Sequence, residues 1–150
     1  MVDDQRFAST RPDVMVYQTD VLTEDITITG PVINHLFVST TGTDADYVVK
    51  LIDVFPENAP KYNGKLMGGY QNLIRAEIMR GKYRNSFEKP EAIVPNQKTN
   101  VTYTMPDVGH TFKKGHRIMI QVQNTWFPLA DRNPQQFMNV YEATAKAFLE

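Results

Sequence analysis

Residues 115–137 read GHRIMIQVQNTWFPLADRNPQQF, and the first part of that stretch alternates. Ile118, Ile120 and Val122 fall on one side, Arg117, Gln121 and Gln123 on the other. A period of two marks a strand with one buried face, here over residues 117–125. Working outward, Val101, Tyr103 and Met105 alternate with Thr102 and Thr104 in the same way. Residues 47–55 are apolar on both parities, which suits a central strand covered on both sides. Residues 14–21, 26–29 and 32–39 are further strand candidates. Residues 72–80 are ambiguous, because Leu73, Ile74, Ala76 and Ile78 also suit a helix. Nine Pro and eight Gly fall mainly between these runs, so many short strands joined by turns are expected, as in an antiparallel sandwich. Only residues 141–149 look helical, with Tyr141, Ala145 and Phe148 on one face.

The 150 residues are the length of one domain, and a chain of this size buries about two-thirds of its unfolded surface. With 41% hydrophobic and 22% charged residues it has the composition of a globule rather than of a disordered segment. Sixteen basic against seventeen acidic residues leave a net charge of -1, so no basic field draws nucleic acid or anionic lipid. There is no Cys, which removes disulfides, thiolate catalysis and Cys-based zinc sites. The opening MVDDQRF has no apolar signal-peptide core, and the longest apolar run is too short to span a bilayer. Neither nucleic acid nor membrane is expected as a partner, and the compartment stays open between cytoplasm and periplasm or exterior.

Catalytic chemistry is hard to place. Ser9, Ser39 and Ser86 lie outside any G-x-S-x-G elbow, the turn that exposes a serine hydroxyl and aims backbone N–H groups at an oxyanion. His35, His110 and His116 could supply a base, but no activated nucleophile accompanies them. His110 and His116 are six apart across a Lys-Lys-Gly turn, which is no recognised metal spacing. Asp44 and Asp46 share a loop as calcium ligands do, yet the later Glu of an EF-hand loop is missing, and Asp in turns commonly caps its own backbone. No catalytic, cofactor or metal residue is assigned.

The loop after residues 117–125 is the best candidate for a contact face. Trp126, Phe127 and Pro128 lead into Asp131, Arg132 and Asn133, bounded by Pro134. Bulky apolar groups beside a charged loop make either a docking face for another domain or a sugar-stacking platform. Interdomain or ligand contact is therefore expected at Trp126, Phe127, Asp131, Arg132 and Asn133. The alternative to docking is a carbohydrate-binding module using Trp126 and nearby aromatics. Arg75, Arg80, Arg84, Arg117 and Arg132 are expected to clamp loops through bidentate bonds.

The same 115–137 stretch resembles the signature of a C-terminal domain shared by X-Pro dipeptidyl-peptidases, cocaine-esterase-like enzymes and glutaryl-7-aminocephalosporanic acid acylases. RPDVMVYQTDVLTEDITITGPV (residues 11–32), DADYVVKLIDVFP (44–56), LIRAEIMRGKYRNSFEKPEAIVPNQ (73–97) and HTFKKGHR (110–117) follow in the family's order. NTWFPLADRNPQ, together with residues 73–97, is most similar to the α-amino-acid ester hydrolase branch. The resemblance implies a jelly-roll β-sandwich, similar to galactose-binding domains, that accompanies an α/β-hydrolase domain bearing the Ser, Asp and His. The implied enzyme is a serine hydrolase acting on α-amino acyl esters, amides or peptides. This chain would be its accessory domain, supporting the catalytic domain and holding no catalytic residue or cofactor of its own.

Family domains carry sequence before residues 3–4 and a further strand after the Tyr141 segment, so the chain is expected to be one jelly-roll domain excised from a larger enzyme, with the origin of Leu149 and Glu150 left open. A missing strand leaves an open sheet edge, which invites self-association. The chain is therefore expected to dimerise; a light-scattering concentration series that finds monomer throughout overturns this.

Overall fold

The computed structural model describes residues 3–148. A one-turn helix α1 (Arg6–Ser9) precedes six strands: β1 (Val14–Gln18), β2 (Ile26–Val38), β3 (Asp46–Val54), β4 (Gln71–Arg80), β5 (Thr99–Phe112) and β6 (Arg117–Gln123). Four strands form a sheet in the order β1-β6-β3-β4, and β2 pairs with β5 in a second sheet. The strands are mostly antiparallel and helix is nearly absent, so the expected all-β sandwich is the observed fold. No helix among the described residues is long and apolar enough to cross a membrane.

By contact density the chain forms two compact units. The first comprises the chain up to Val32 with Val49–Glu77 and Met105–Val122. In it Leu51, Val108 and Phe112 are buried together, and Leu22, Ile28, Val32, Ile74, Ile118 and Ile120 pack on them. These side chains come from both sheets and fill the space between them. The second unit holds Ile33–Val48, Ile78–Thr104 and the chain from Gln123 onward. There Tyr47, Val48, Met79, Ile93, Val101, Tyr103 and Trp126 are buried, and Tyr103 Oη donates to the Tyr47 carbonyl at 3.0 Å. Gly81 follows β4, and its N–H donates to Ala45 O at 2.7 Å. A Cβ at Gly81 would lie 2.7 Å from that same oxygen, so this close approach needs glycine.

Three sequence expectations change in the structure. The candidates 26–29 and 32–39 are one strand, β2, running through Gly30 and Pro31. Gly30 takes φ +96 there, and β2 has only one partner strand, so an unpaired edge accommodates the missing proline N–H. Residues 141–149 do not form an α-helix: Val140–Glu142 and Ala145–Phe148 are separate 3-10 turns, and Leu149 lies outside the described residues.

The third change concerns β6. Met119, Gln121 and Gln123, the side expected to face water, are buried, while Ile118 and Ile120 are half-buried against the apolar cluster. Strand β6 lies between β1 and β3, and Gln5, just before α1, reaches it. Gln121, 0% exposed, donates through Nε2 to Gln71 Oε1 at 3.3 Å and reaches Gln5 O at 3.5 Å. These bonds replace water at the Gln121 amide nitrogen, while Gln121 Oε1 is buried without a partner among the described residues.

Candidate functional site and family

The chain leaves β6 through Trp126, where Leu129 N and Ala130 N both donate to the Trp126 carbonyl at 2.8 and 3.1 Å. This tight turn separates the five residues singled out in the sequence. Trp126 turns inward and is 9% exposed, whereas Phe127 is 59% exposed. A stacking ring needs an open face, and the Trp126 ring is mostly covered. Phe127, Asp131 and Arg132 instead line one shallow concavity of about 570 Å³ with Val140, Tyr141 and Phe148. The Arg132 guanidinium sits 6.0 Å from the Phe148 ring centroid, and Tyr141 is 89% exposed.

Asn133 points the other way. Its Nδ2 donates to Asp46 Oδ1 at 2.7 Å and to Asp44 Oδ2 at 3.2 Å. Both carboxylates are buried. Asp44 Oδ1 also accepts from Ala45 N and Lys82 N, each at 2.9 Å. Arg80 clamps Asp46 through Nε at 3.1 Å and Nη2 at 3.2 Å, and reaches Asp131 O at 3.3 Å. Burial pushes the Asp44 carboxyl above its ordinary value, although the Asn133 side chain and two backbone N–H groups pull the other way. For Arg80, burial opposes the charge, but Asp46, with Asp44 and Asp131 nearby, more than offsets it and raises the pKa. The pair read as possible calcium ligands is thus engaged by N–H donors, which stand where a cation's approach would be. Its role is to fasten the loop after Trp126 onto the start of β3. The same loop is held from behind: Thr43 N and Asp44 N donate to Gln135 O at 3.0 and 3.3 Å.

The expected multidentate arginine clamp is seen at Arg80 and Arg84, while Arg75 and Arg117 each reach one carbonyl. Besides Arg80, Arg84 donates to the carbonyls of Gly81, Glu91 and Ala92. Arg75 reaches Asp107 O at 2.6 Å and Arg117 reaches Thr19 O at 2.9 Å. Arg132 forms no such clamp and faces the concavity. The serines are placed for local bonding: Ser86 Oγ accepts from Glu88 N and Lys89 N, and Ser9 Oγ donates to Arg6 O while accepting from Gln71.

Sequence reasoning missed one cluster. Asp53, on β3 and 3% exposed, accepts from His110 Nε2 at 2.9 Å and from His116 Nδ1 at 2.8 Å. A signal existed: Asp53 and Lys50 lie inside a run apolar on both faces, where a charge must be buried and partnered.

Comparison with known proteins agrees with this architecture. The family model for the X-Pro dipeptidyl-peptidase C-terminal non-catalytic domain matches residues 2–147. The cocaine esterase of Rhodococcus sp. (strain MB1 Bresler) is 37% identical over 130 residues, covering 87% of this chain and 21% of that protein. Among solved structures, an aminopeptidase from the marine sediment archaeon Thaumarchaeota archaeon superposes with a TM-score of 0.92 at 45% identity, over 98% of this chain and 24% of its own. An α-amino acid ester hydrolase gives 0.91 at 44% identity with the same coverage, in line with the branch that residues 73–97 and NTWFPLADRNPQ resemble. The chain spans about a fifth to a quarter of the length of these relatives. A non-catalytic β-sandwich, without the serine elbow in its own sequence, is what the match from residue 2 to residue 147 describes: the chain belongs to the X-Pro dipeptidyl-peptidase C-terminal non-catalytic domain family.

Proposed function

We propose that this chain is the accessory domain of a serine hydrolase acting on α-amino acyl esters, amides or peptides, and that it docks on the catalytic α/β-hydrolase domain through the face bearing Phe127, Asp131 and Arg132. The observation that carries this reading is the concavity in which those three residues meet Tyr141 and Phe148. Phe127, Leu129 and Tyr141 are exposed apolar or aromatic groups beside a guanidinium. Aromatic and Arg side chains with a charged rim are the composition of protein–protein contact faces. Trp126, buried beneath the turn, and Asn133, bonded to Asp44 and Asp46, fix that face without touching a partner. The relatives' names supply the substrate class: an esterase, an aminopeptidase and an amino acid ester hydrolase.

The test is hydrolysis of phenylglycine methyl ester by the 150-residue chain beside the longer hydrolase that contains it. The expected result is an inert chain and an active hydrolase. Phe127→Asp in the longer protein is expected to shorten its thermal-inactivation half-life at least fivefold while leaving kcat/KM of the intact enzyme near that of the parent. An active isolated chain, or a Phe127→Asp enzyme as durable as the parent, overturns the docking reading.

A further inference from the structure

One concavity of the first unit lies beside the β3–β4 loop. It encloses about 830 Å³ and is walled by Phe55, Pro56, Met67 and Tyr70, with Lys61 and His116 among its polar members. That volume is in the range of sites for small organic molecules, about 300–1,000 Å³.

The site is built rather than incidental. Its rim is the long β3–β4 loop, which is closed on itself. Phe55 N donates to Tyr70 O at 2.9 Å, and Tyr62 and Lys65 exchange backbone hydrogen bonds at 3.0 and 2.9 Å. At the loop's base, a Cβ on Gly68 would come within 2.3 Å of Glu57 O, so the two loop arms touch backbone to backbone. The loop is also pinned from outside: Arg6 Nη1 donates to Gly68 O at 3.1 Å, and Tyr70 Oη donates to Asp3. Ordered walls spare a ligand the entropy of shaping its own site.

The polar groups have one sign. No Asp or Glu lines the cavity, whereas Lys61, Lys65 and His116 do. Lys65 is paired with Asp3 at 3.1 Å. Lys61 has no ion-pair or hydrogen-bond partner among the described residues. His116 donates Nδ1–H to buried Asp53 and packs its ring against Phe55, centroids 4.7 Å apart. Asp53 thus fixes both the orientation and the tautomer, leaving Nε2 as the ring nitrogen with no partner among the described residues. Asp53 itself is committed to both imidazoles and presents no free carboxylate oxygen edge to the cavity.

We propose that this cavity binds a small aromatic carboxylate, the ring between Phe55, Met67 and Tyr70 and the carboxylate on the Lys61 ammonium. Binding of such an anion is a property of this domain alone and stands or falls independently of the docking face. The chemistry is shared by free aromatic acids and by the C-terminus of a peptide ending in phenylalanine.

Isothermal titration of the 150-residue chain with 3-phenylpropanoate and with its neutral amide tests the assignment, followed by the ring C–H resonances of His116. Saturable binding of the acid, at least tenfold weaker binding of the amide, and a shift of the His116 resonances are expected. Lys61→Met, at an exposed loop position, should weaken the acid at least fivefold and leave the amide unchanged. Ala-Ala-Phe binding beside 3-phenylpropanoate identifies a site open to peptide ends, and binding of the free acid alone restricts it to small molecules. No saturation with the acid, equal affinity for acid and amide, or an unaltered Lys61→Met overturns the proposal.

Discussion

Unfolding free energy should rise by roughly 2 kcal/mol between pH 8 and pH 10, and Lys50→Met should abolish that rise. Lys50 is on β3 and 0% exposed. Its Nζ donates to Gln5 Oε1 at 2.9 Å and lies 5.7 Å from the Phe7 ring centroid. Burial, with the Arg11 guanidinium nearby, lowers its pKa from the ordinary 10.5 to about 8. Between those values the unfolded chain holds the proton and the folded chain has released it, so stability increases with pH. Below pH 8 the buried charge carries its full cost. Tyr70 works oppositely at higher pH: its hydrogen bond to Asp3 holds the phenol up at about 12, so its contribution is lost as pH climbs from 10 toward 12. The window from 8 to 10 therefore reports Lys50. Urea denaturation at half-unit pH steps measures it, and parallel curves for parent and Lys50→Met would refute the assignment.

Arg80→Met should cost about 3 kcal/mol at pH 7, among the largest single losses in the chain. Asp46, 2% exposed in its side chain, would keep only Asn133 as a side-chain partner. An ion pair broken on one side leaves an uncompensated buried charge. Asn133→Ala removes one amide from two buried carboxylates and should cost about 2 kcal/mol. Chemical denaturation at pH 7 checks both variants. A loss under about 1 kcal/mol for Arg80→Met would mean that the pair offsets no buried charge.

How far the site was legible follows from the same residues. The loop after Trp126 was recognisable because bulky apolar residues run into a charged, Pro-bounded segment. That three of its members face one concavity while Trp126 and Asn133 turn inward depends on the turn at the Trp126 carbonyl and on Asp44 and Asp46, some ninety residues earlier. Local pattern carries no information about such partners. The histidine cluster was missed for the same reason: Asp53 on β3 meets His110 on β5 from the other sheet, and His116 at the turn before the neighbouring β6.

The sequence by itself determined that the chain is all-β, where most strands lie and which family it joins. Alternation, two-sided apolarity and turn residues are local properties, and the long motifs in order are a property of the chain alone. Tertiary structure alone decided which side of β6 is buried, because Gln5 of the N-terminal segment and Gln71 of β4 meet Gln121 on a face that periodicity assigned to water. It also decided that residues 72–80 are a strand, since β4 has β3 beside it to accept its backbone hydrogen bonds. The buried charges of Lys50, Asp46 and Asp53 complete the contrast. Their positions are written in one short run, but each survives burial through partners that only the folded chain brings within hydrogen-bond reach.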